Sequence, residues 1–161
     1  MIITITGTPG TGKTHIAKKL ADKNWKYIDL NALIKKEKLY NNYDKKAMTY
    51  DVDAETLKKI DKRFTEYIEK RINIKKELTV PELKKIIKKN KGILIDSHLS
   101  HYLNSDICIV VKADIKKINS RLKKRDYPDD KIKENVESEI FDICLEEAIN
   151  LNRNISVIRN G

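Results

Sequence analysis

Cysteine, proline and glycine are all scarce in this chain, at two, three and five residues among 161. The two cysteines, Cys108 and Cys144, stand far apart inside apolar segments. That spacing argues against a disulfide-stapled secreted fold and against a cysteine-based zinc site; they read as buried thiols of a reducing compartment, the cytoplasm. No apolar run approaches the ~18 residues that a membrane helix needs. The apolar start Met1–Thr6 runs straight into glycines without a cleavage signature, so no secretory leader is expected. Repeats, low-complexity blocks and Gly/Ser linkers are missing too, which leaves a single domain over 1–161 as the expectation. Acid is in deficit: 34 Lys and Arg face 24 Asp and Glu, a net charge of +10. An anionic partner such as a nucleotide, RNA or acidic lipid would use that excess. Solvated helix faces account for it more simply, because the lysines fall in pairs such as Lys58 and Lys59, or Lys84 and Lys85.

Apolar patterning alternates between two periods. Met1–Thr6 is a β-branched, nearly unbroken apolar run, as a buried parallel strand requires. Lys13–Lys23 reads as a helix with Ile16, Ala17 and Leu20 on one face, and Lys26–Leu30 as a second strand. Asn31 is placed to cap a short helix to about Lys38, and Leu39–Val52 reads as an irregular, tyrosine-bearing insertion. Leu57, Ile60, Phe64, Tyr67, Ile68 and Ile72 follow helical spacing. Thr79 and Glu82 form a capping-box pair before a helix over Pro81–Asn90, which Gly92 is expected to stop. Strands are expected at Ile93–Asp96, Ile107–Ala113 and Asn154–Ile158. A helix from Asp114 to about Arg125 separates the last two, followed by a long one from Asp129 or Asp130 to about Leu151, with Ile132, Val136, Ile140, Ile143, Cys144 and Ala148 inward. Strands alternating with helices predict an α/β fold with a doubly wound parallel sheet, whose phosphate ligands sit at the carboxyl ends of the strands.

Gly7-Thr8-Pro9-Gly10-Thr11-Gly12-Lys13-Thr14 fills every position of the phosphate-loop pattern, with a strand before it and a helix after it. Glycines such as Gly10 and Gly12 let the backbone curl so that its amides point at a phosphate, and the helix N-terminus adds positive partial charge. Lys13 would bridge the β- and γ-phosphates of ATP, Thr14 would offer its hydroxyl to Mg²⁺, and the backbone amide of His15 lies within reach of the phosphates. Ile93–Asp96 ends on an acid at the carboxyl end of a strand, so Asp96 is the second candidate Mg²⁺ ligand, partly through water. His98 follows two residues later; it positions a water or takes a proton, or it is a hydrogen-bonded loop residue, and the residues alone leave the two open. His101 has weaker support. Arg121 and Arg125, at i and i+4, share a helix face and suit phosphate oxygens, and Asp126–Asp129 would let them hinge over a triphosphate. A solvated basic helix fits the same spacing.

The chain resembles the adenylate kinase isoenzyme 6 family, also called coilin-interacting nuclear ATPases. The residues that carry the resemblance are Gly7–Thr14, Leu39–Asp44, Asp96-Ser97-His98, Arg121–Tyr127 and Asn135–Phe141. The resemblance implies an adenylate-kinase-like five-stranded sheet of order 2-3-1-4-5, a monophosphate-binding region at about 31–52 and a short lid at about 125–133. It implies reversible transfer of the ATP γ-phosphate to AMP with Mg²⁺, together with ATP hydrolysis, and it gives His98 a part in activity. Arg121 and Arg125 become catalytic candidates, Arg125 an ATP contact, and Asn31, Lys35 and Tyr43 candidate AMP contacts. A role in small-ribosomal-subunit maturation is also implied, with a platform ribosomal protein as partner and RNA within reach. Lys35 stands where the family has an arginine, the segment from about 65 to 90 is longer than in eukaryotic members, and no helix is expected after the last strand. Two other readings use the same motifs: an ATP-hydrolysing assembly factor with little kinase turnover, and a kinase of a small non-nucleotide metabolite.

Overall fold

The computed structural model describes residues 1–21, 23–45, 49–65, 79–151 and 154–160. Strand β1, Ile2–Thr6, is buried at every position, as its run of isoleucine and threonine demands. Helix α1 (Lys13–Leu20), strand β2 (Trp25–Asp29) and helix α2 (Leu30–Glu37) follow, then two three-residue strands, β3 (Asn42–Asp44) and β4 (Thr49–Asp51). Helices α3 (Ala54–Thr65) and α4 (Val80–Lys89) precede β5 (Gly92–Asp96), a short 3-10 turn at Ser100–Tyr102 and β6 (Ile107–Lys112). Helices α5 (Ile115–Lys123), α6 (Asp129–Ile140) and α7 (Ile143–Leu151) lead to the last strand, β7 (Ile155–Arg159).

The main sheet has five parallel strands in the order β2-β5-β1-β6-β7, which is the expected 2-3-1-4-5 order when its strands are numbered along the chain. Side chains alternate across it with period two. Ile3, Ile5 and Leu94 pack with Ala17 of α1 and with Leu83 and Ile87 of α4 on one face. Ile2, Ile93 and Ile95 pack with Leu30 and Ile34 of α2 and with Ile60 and Phe64 of α3 on the other. Cys108 and Val110 meet Ala148 of α7, while Ile118 and Leu122 of α5 meet Ile132 of α6. Helices therefore cover both faces, and both neighbours of β1 are parallel strands, so the residues after Thr6 emerge in the middle of the sheet's carboxyl edge.

Several local expectations are corrected. Asp29, not Asn31, caps α2: its Oδ1 accepts from the Ala32 amide at 2.9 Å, and Asn31 lies inside the first turn. The expected irregular insertion at 39–52 contains two strands: β3 and β4 pair antiparallel with Tyr43 opposite Tyr50. Asn90 closes α4 and Gly92 opens β5, so the glycine is a strand residue and not the stop. The capping box at α4 is present: Glu82 Oε2 accepts from the Thr79 amide at 2.9 Å and from its hydroxyl at 2.7 Å. Pro128 occupies the cap position of α6, and Asp129 and Asp130 lie in its first turn, where their charge suits the helix dipole. The long helix to Leu151 is two helices. Asp142 turns left-handed at φ 54° between them and pairs with Lys112. That break throws Ile140 and Ile143 outward, 58% and 45% exposed, although an unbroken 3.6-residue period puts both inside. Tyr67, Ile68 and Ile72, expected to continue α3, lie outside the described residues.

Among the described residues no helix is long and apolar enough to cross a membrane. Leu94 is fully buried between β1 and β2, so Leu94→Ala should lower stability by about 2–5 kcal/mol. The check is a lowered urea midpoint at unchanged slope; a loss below ~1 kcal/mol would contradict a close-packed face at that position.

Candidate active site

The loop after β1 is shaped by what glycine alone tolerates. Gly7 leaves the strand at φ 142°, and a Cβ there would stand 2.3 Å from the Val111 carbonyl. Gly12 caps α1 at φ 90°, where a Cβ would meet Asn160 Nδ2 at 2.1 Å. Several of the loop's carbonyls are engaged. Thr8 O accepts from the Thr11 amide at 3.2 Å, the Thr11 hydroxyl at 2.9 Å and Lys13 Nζ at 3.4 Å. Arg121 Nη1 donates to Gly10 O at 3.0 Å and to Thr11 O at 3.3 Å, and Asn160 Nδ2 to Thr11 O at 2.8 Å. Because N–H and C=O point oppositely in a peptide, the Thr11 carbonyl so held turns the Gly12 amide the other way, as an anion nest requires, whereas Pro9 has no N–H and the Thr11 amide is already bonded to Thr8 O. No acid occupies the first turn of α1, which keeps its amino end free for an anion.

Beside this loop lies a cavity of about 440 Å³, lined by Lys13, Thr14, Asp96, His98, Asn31 and Arg125 among others. Strand register makes this meeting: Ile5 of β1 and Asp29 of β2 both stand opposite Asp96. Asp96 is 3% exposed. Its Oδ2 accepts from the Tyr27 hydroxyl at 3.1 Å, while Oδ1 is buried with no hydrogen-bond partner among the described residues. Burial raises its pKa, against the pull of the Thr14 hydroxyl and the Lys13 ammonium. Lys13 is held below its usual pKa by burial, with Arg125 acting in the same sense and Asp96 opposing. Burial also pushes His98 down to about 4, helped by the positive charge of Lys13, so its imidazole is neutral at pH 7.

The other candidates separate into those on the cavity and those off it. Arg125 and Tyr127 reach it from the turn between α5 and α6, and Lys131 from α6. Asp126, between the first two, is left-handed at φ 56°. Arg121 is turned to the carbonyl side of the phosphate loop, one helical turn away from Arg125 in sequence but on different partners. Gly10 and Gly12 shape the loop, and the His15 amide donates to Gly12 O at 3.1 Å, with its side chain exposed. Asn31 lines the cavity and its Oδ1 accepts from the Ser97 hydroxyl at 2.8 Å. Lys35 is exposed one turn further along α2 and does not line the cavity; nor does Tyr43. Tyr50 does, with the rings of Tyr43 and Tyr40 tilted against it at centroid distances of 4.6 and 4.7 Å.

Three further residues stand in the site without a role assigned from sequence. Tyr50 is one; its pairing with Tyr43 required seeing a hairpin where none was expected. Glu139 is 7% exposed: its Oε2 accepts from the Thr8 hydroxyl at 2.7 Å and its Oε1 from the Ala113 amide at 3.2 Å. It lies inside the Asn135–Phe141 motif, and a buried acid among helical apolar residues was its signal. Glu147 of α7 bonds His101 at 3.1 Å. Cys144, expected to be buried, is only half-buried and lines the cavity; Cys108 is buried, with its thiol pKa pushed up to about 12.

Among the described residues no three His, Cys, Asp or Glu side chains gather to hold a metal on their own. A magnesium ion on a phosphate loop does not need them, since it takes one hydroxyl, one carboxylate, water and substrate oxygens. The unpartnered Oδ1 of Asp96, with the Thr14 hydroxyl beside it, fits that donor set.

A family model described as an AAA domain matches residues 3–142. A Methanosarcina acetivorans protein named "Putative adenylate kinase" is 40% identical over 152 residues, covering 92% of this chain and 71% of its own. One of the same name from Methanocaldococcus jannaschii is 40% identical over 149 residues, with 92% and 72% covered. Another, from Pyrococcus furiosus, is 36% identical over 156 residues, with 96% and 72% covered.

His98 should titrate near pH 4 in the folded protein, against about 6.5 when unfolded. The unfolded chain then binds the extra proton first, so this group's share of stability is complete above pH 6.5 and is lost as pH falls toward 4. Histidine ring shifts followed by NMR against pH check it; a midpoint near 6.5 would mean the ring is solvated.

Proposed function

The chain belongs to the AAA domain family and, within it, to the archaeal relatives named as adenylate kinases, and from that premise we propose that it transfers the γ-phosphate of ATP to AMP, with ATP hydrolysis at the same site. A nucleotide kinase is what the family and the phosphate loop support; AMP as acceptor is the finer reading. One observation carries it: a single cavity is lined both by the phosphate loop and by Asn31, Ile34 and Tyr50 of a separate region, and Arg125 lines it too.

In this reading ATP lies with its phosphates on the amides of Gly10 and of Gly12–Thr14 and against Lys13 Nζ. AMP lies against Asn31 and Tyr50, whose ring offers a flat apolar face to a base. An oxygen of the AMP phosphate attacks the γ-phosphorus, the bond to the β–γ bridging oxygen breaks, and two ADP result. No covalent intermediate is needed, so positioning and charge stabilisation carry the rate. Lys13 and Arg125 offset the charge that spreads over the transferred oxygens. Thr14 and Asp96 would hold Mg²⁺, which supplies further charge neutralisation on the phosphates when bound. Burial holds Lys13 and Asp96 where water screens them least.

Hydrolysis is favoured by His98. A neutral imidazole has one bare ring nitrogen, which can accept a hydrogen from water and orient it toward phosphorus.

A coupled assay of ATP with AMP, against ATP alone, tests the reading. AMP-dependent formation of two ADP per ATP supports the kinase; no response to AMP leaves hydrolysis or a different acceptor. Lys13→Ala should cut both activities at least ~100-fold. His98→Ala should reduce hydrolysis at least as much as transfer, and an unchanged hydrolysis rate would remove its water-orienting role.

A further inference from the structure

His101 is a buried titratable group that this mechanism leaves unused. It is 3% exposed, and both ring nitrogens have partners. Nδ1 lies 2.8 Å from the Thr6 hydroxyl and Nε2 lies 3.1 Å from Glu147 Oε2. We propose that His101, clamped between Thr6 and Glu147, is the positioning residue that holds the turn carrying His98 over the phosphate loop. The idea rests on the proposed function for what His98 does there, and its structural part stands apart from it.

The bonding fixes the ring's state. An ionised carboxylate only accepts, so Glu147 requires a hydrogen on Nε2. The neutral ring then has a bare Nδ1, to which the Thr6 hydroxyl donates. Thr6 is the last residue of β1, directly before Gly7. The histidine thus ties the root of the phosphate loop to helix α7. Between these anchors the turn is stitched to β1 by the Ser97 amide on Ile5 O at 3.2 Å and the Ser100 hydroxyl on the same oxygen at 2.9 Å. The Thr6 hydroxyl has one hydrogen and a second acceptor for it, the His98 carbonyl at 3.3 Å, so the state of His101 Nδ1 decides how the His98 backbone is held. Cys144 closes the cluster, with Sγ 3.4 Å from Thr6 Oγ1 and 3.9 Å from His101 Nδ1.

A role of this kind depends on a hydrogen-bond acceptor at position 147, not on a charge. Glu147→Gln keeps a carbonyl oxygen for Nε2–H, whereas Glu147→Leu keeps the bulk and removes the acceptor. Glu147→Gln should hydrolyse ATP within ~3-fold of the parent protein, and Glu147→Leu should lose ~10-fold or more in kcat, about one hydrogen bond's worth, with KM for ATP little changed. At fixed pH 7, ¹⁵N imidazole spectra should show His101 with its hydrogen on Nε2 in the parent protein and in Glu147→Gln. In Glu147→Leu the tautomers should mix and the His98 ring signals should shift. His101→Phe, close in shape, should resemble Glu147→Leu. Equal behaviour of the Gln and Leu variants, or His98 signals that ignore both, would overturn the proposal. If His98→Ala leaves hydrolysis intact while the spectra respond as described, the reading of His98 fails and the positioning role stands.

Discussion

The pairing of β1 with β5 is the constraint on which the site depends. Ile5 stands opposite Asp96, one residue before Thr6 and two before the phosphate loop begins. The sheet therefore delivers an acid and a phosphate loop to the same edge from segments some ninety residues apart in sequence. Neither strand can slip without reversing its faces: a one-residue shift would send Ile3 and Ile5 to the α2 and α3 side and Ile2 to the other. Hydrophobic packing on both faces thus sets the register, and the register sets the distance between Lys13 and Asp96. Burial is also the source of the site's electrostatics. The same packing that fixes Asp96 raises its pKa and lowers that of Lys13, so each needs the other, or a bound phosphate and cation, to be charged at low cost.

The architecture was legible in the sequence because its signals are local and repeated. The β-branched runs gave the strands, the fully matched loop gave the phosphate end, and the alternation of periods gave a doubly wound sheet. The errors fall where one residue's conformation overrides a pattern. Asp142 adopts a left-handed turn that any helical reading of 129–151 passes over, since aspartate is an ordinary helix-surface residue by composition. The β3–β4 hairpin is three residues a side and exposed on β3, too short for an alternation to register. Asp29 and Asn31 are both good caps, and spacing does not separate them.

The site was legible by residue more than by contact. Lys13, Thr14, Asp96 and His98 all face one cavity, as their motifs require. Arg121 and Arg125 share a spacing but not a partner. A spacing of four puts two side chains on one face, and long side chains can then turn to different neighbours. Tyr50 and Glu147 lie outside every motif, and Glu139 lies within one that gives it no role of its own. Each acts through a partner distant in sequence, Tyr43 excepted, and such pairings become visible only when the chain is folded. The net charge of +10 divides accordingly: Lys13 and Arg125 line the phosphate cavity, Arg121 holds its loop, and exposed lysines such as Lys84 and Lys85 on α4 remain solvated.

Arg121 and Glu139 together constrain the turn between α5 and α6. Arg121 sits near the end of α5 and grips Gly10 and Thr11 through their carbonyls; Glu139 sits near the end of α6 and grips Thr8 through its hydroxyl. Both helices that flank the Lys124–Pro128 turn are therefore tied to the same loop. A guanidinium on two carbonyls and a buried carboxylate on a hydroxyl are charge-assisted bonds, stronger than neutral ones. Rigid-body swinging of either helix would break them and bare a buried charge. Movement is cheapest in the five exposed or half-buried residues between, where Asp126 already holds a left-handed backbone and Arg125 and Tyr127 reach the cavity. A rearrangement of that turn alone would move Arg125, while the loop beneath stays held through its carbonyls by Arg121 and through the Thr8 hydroxyl by Glu139.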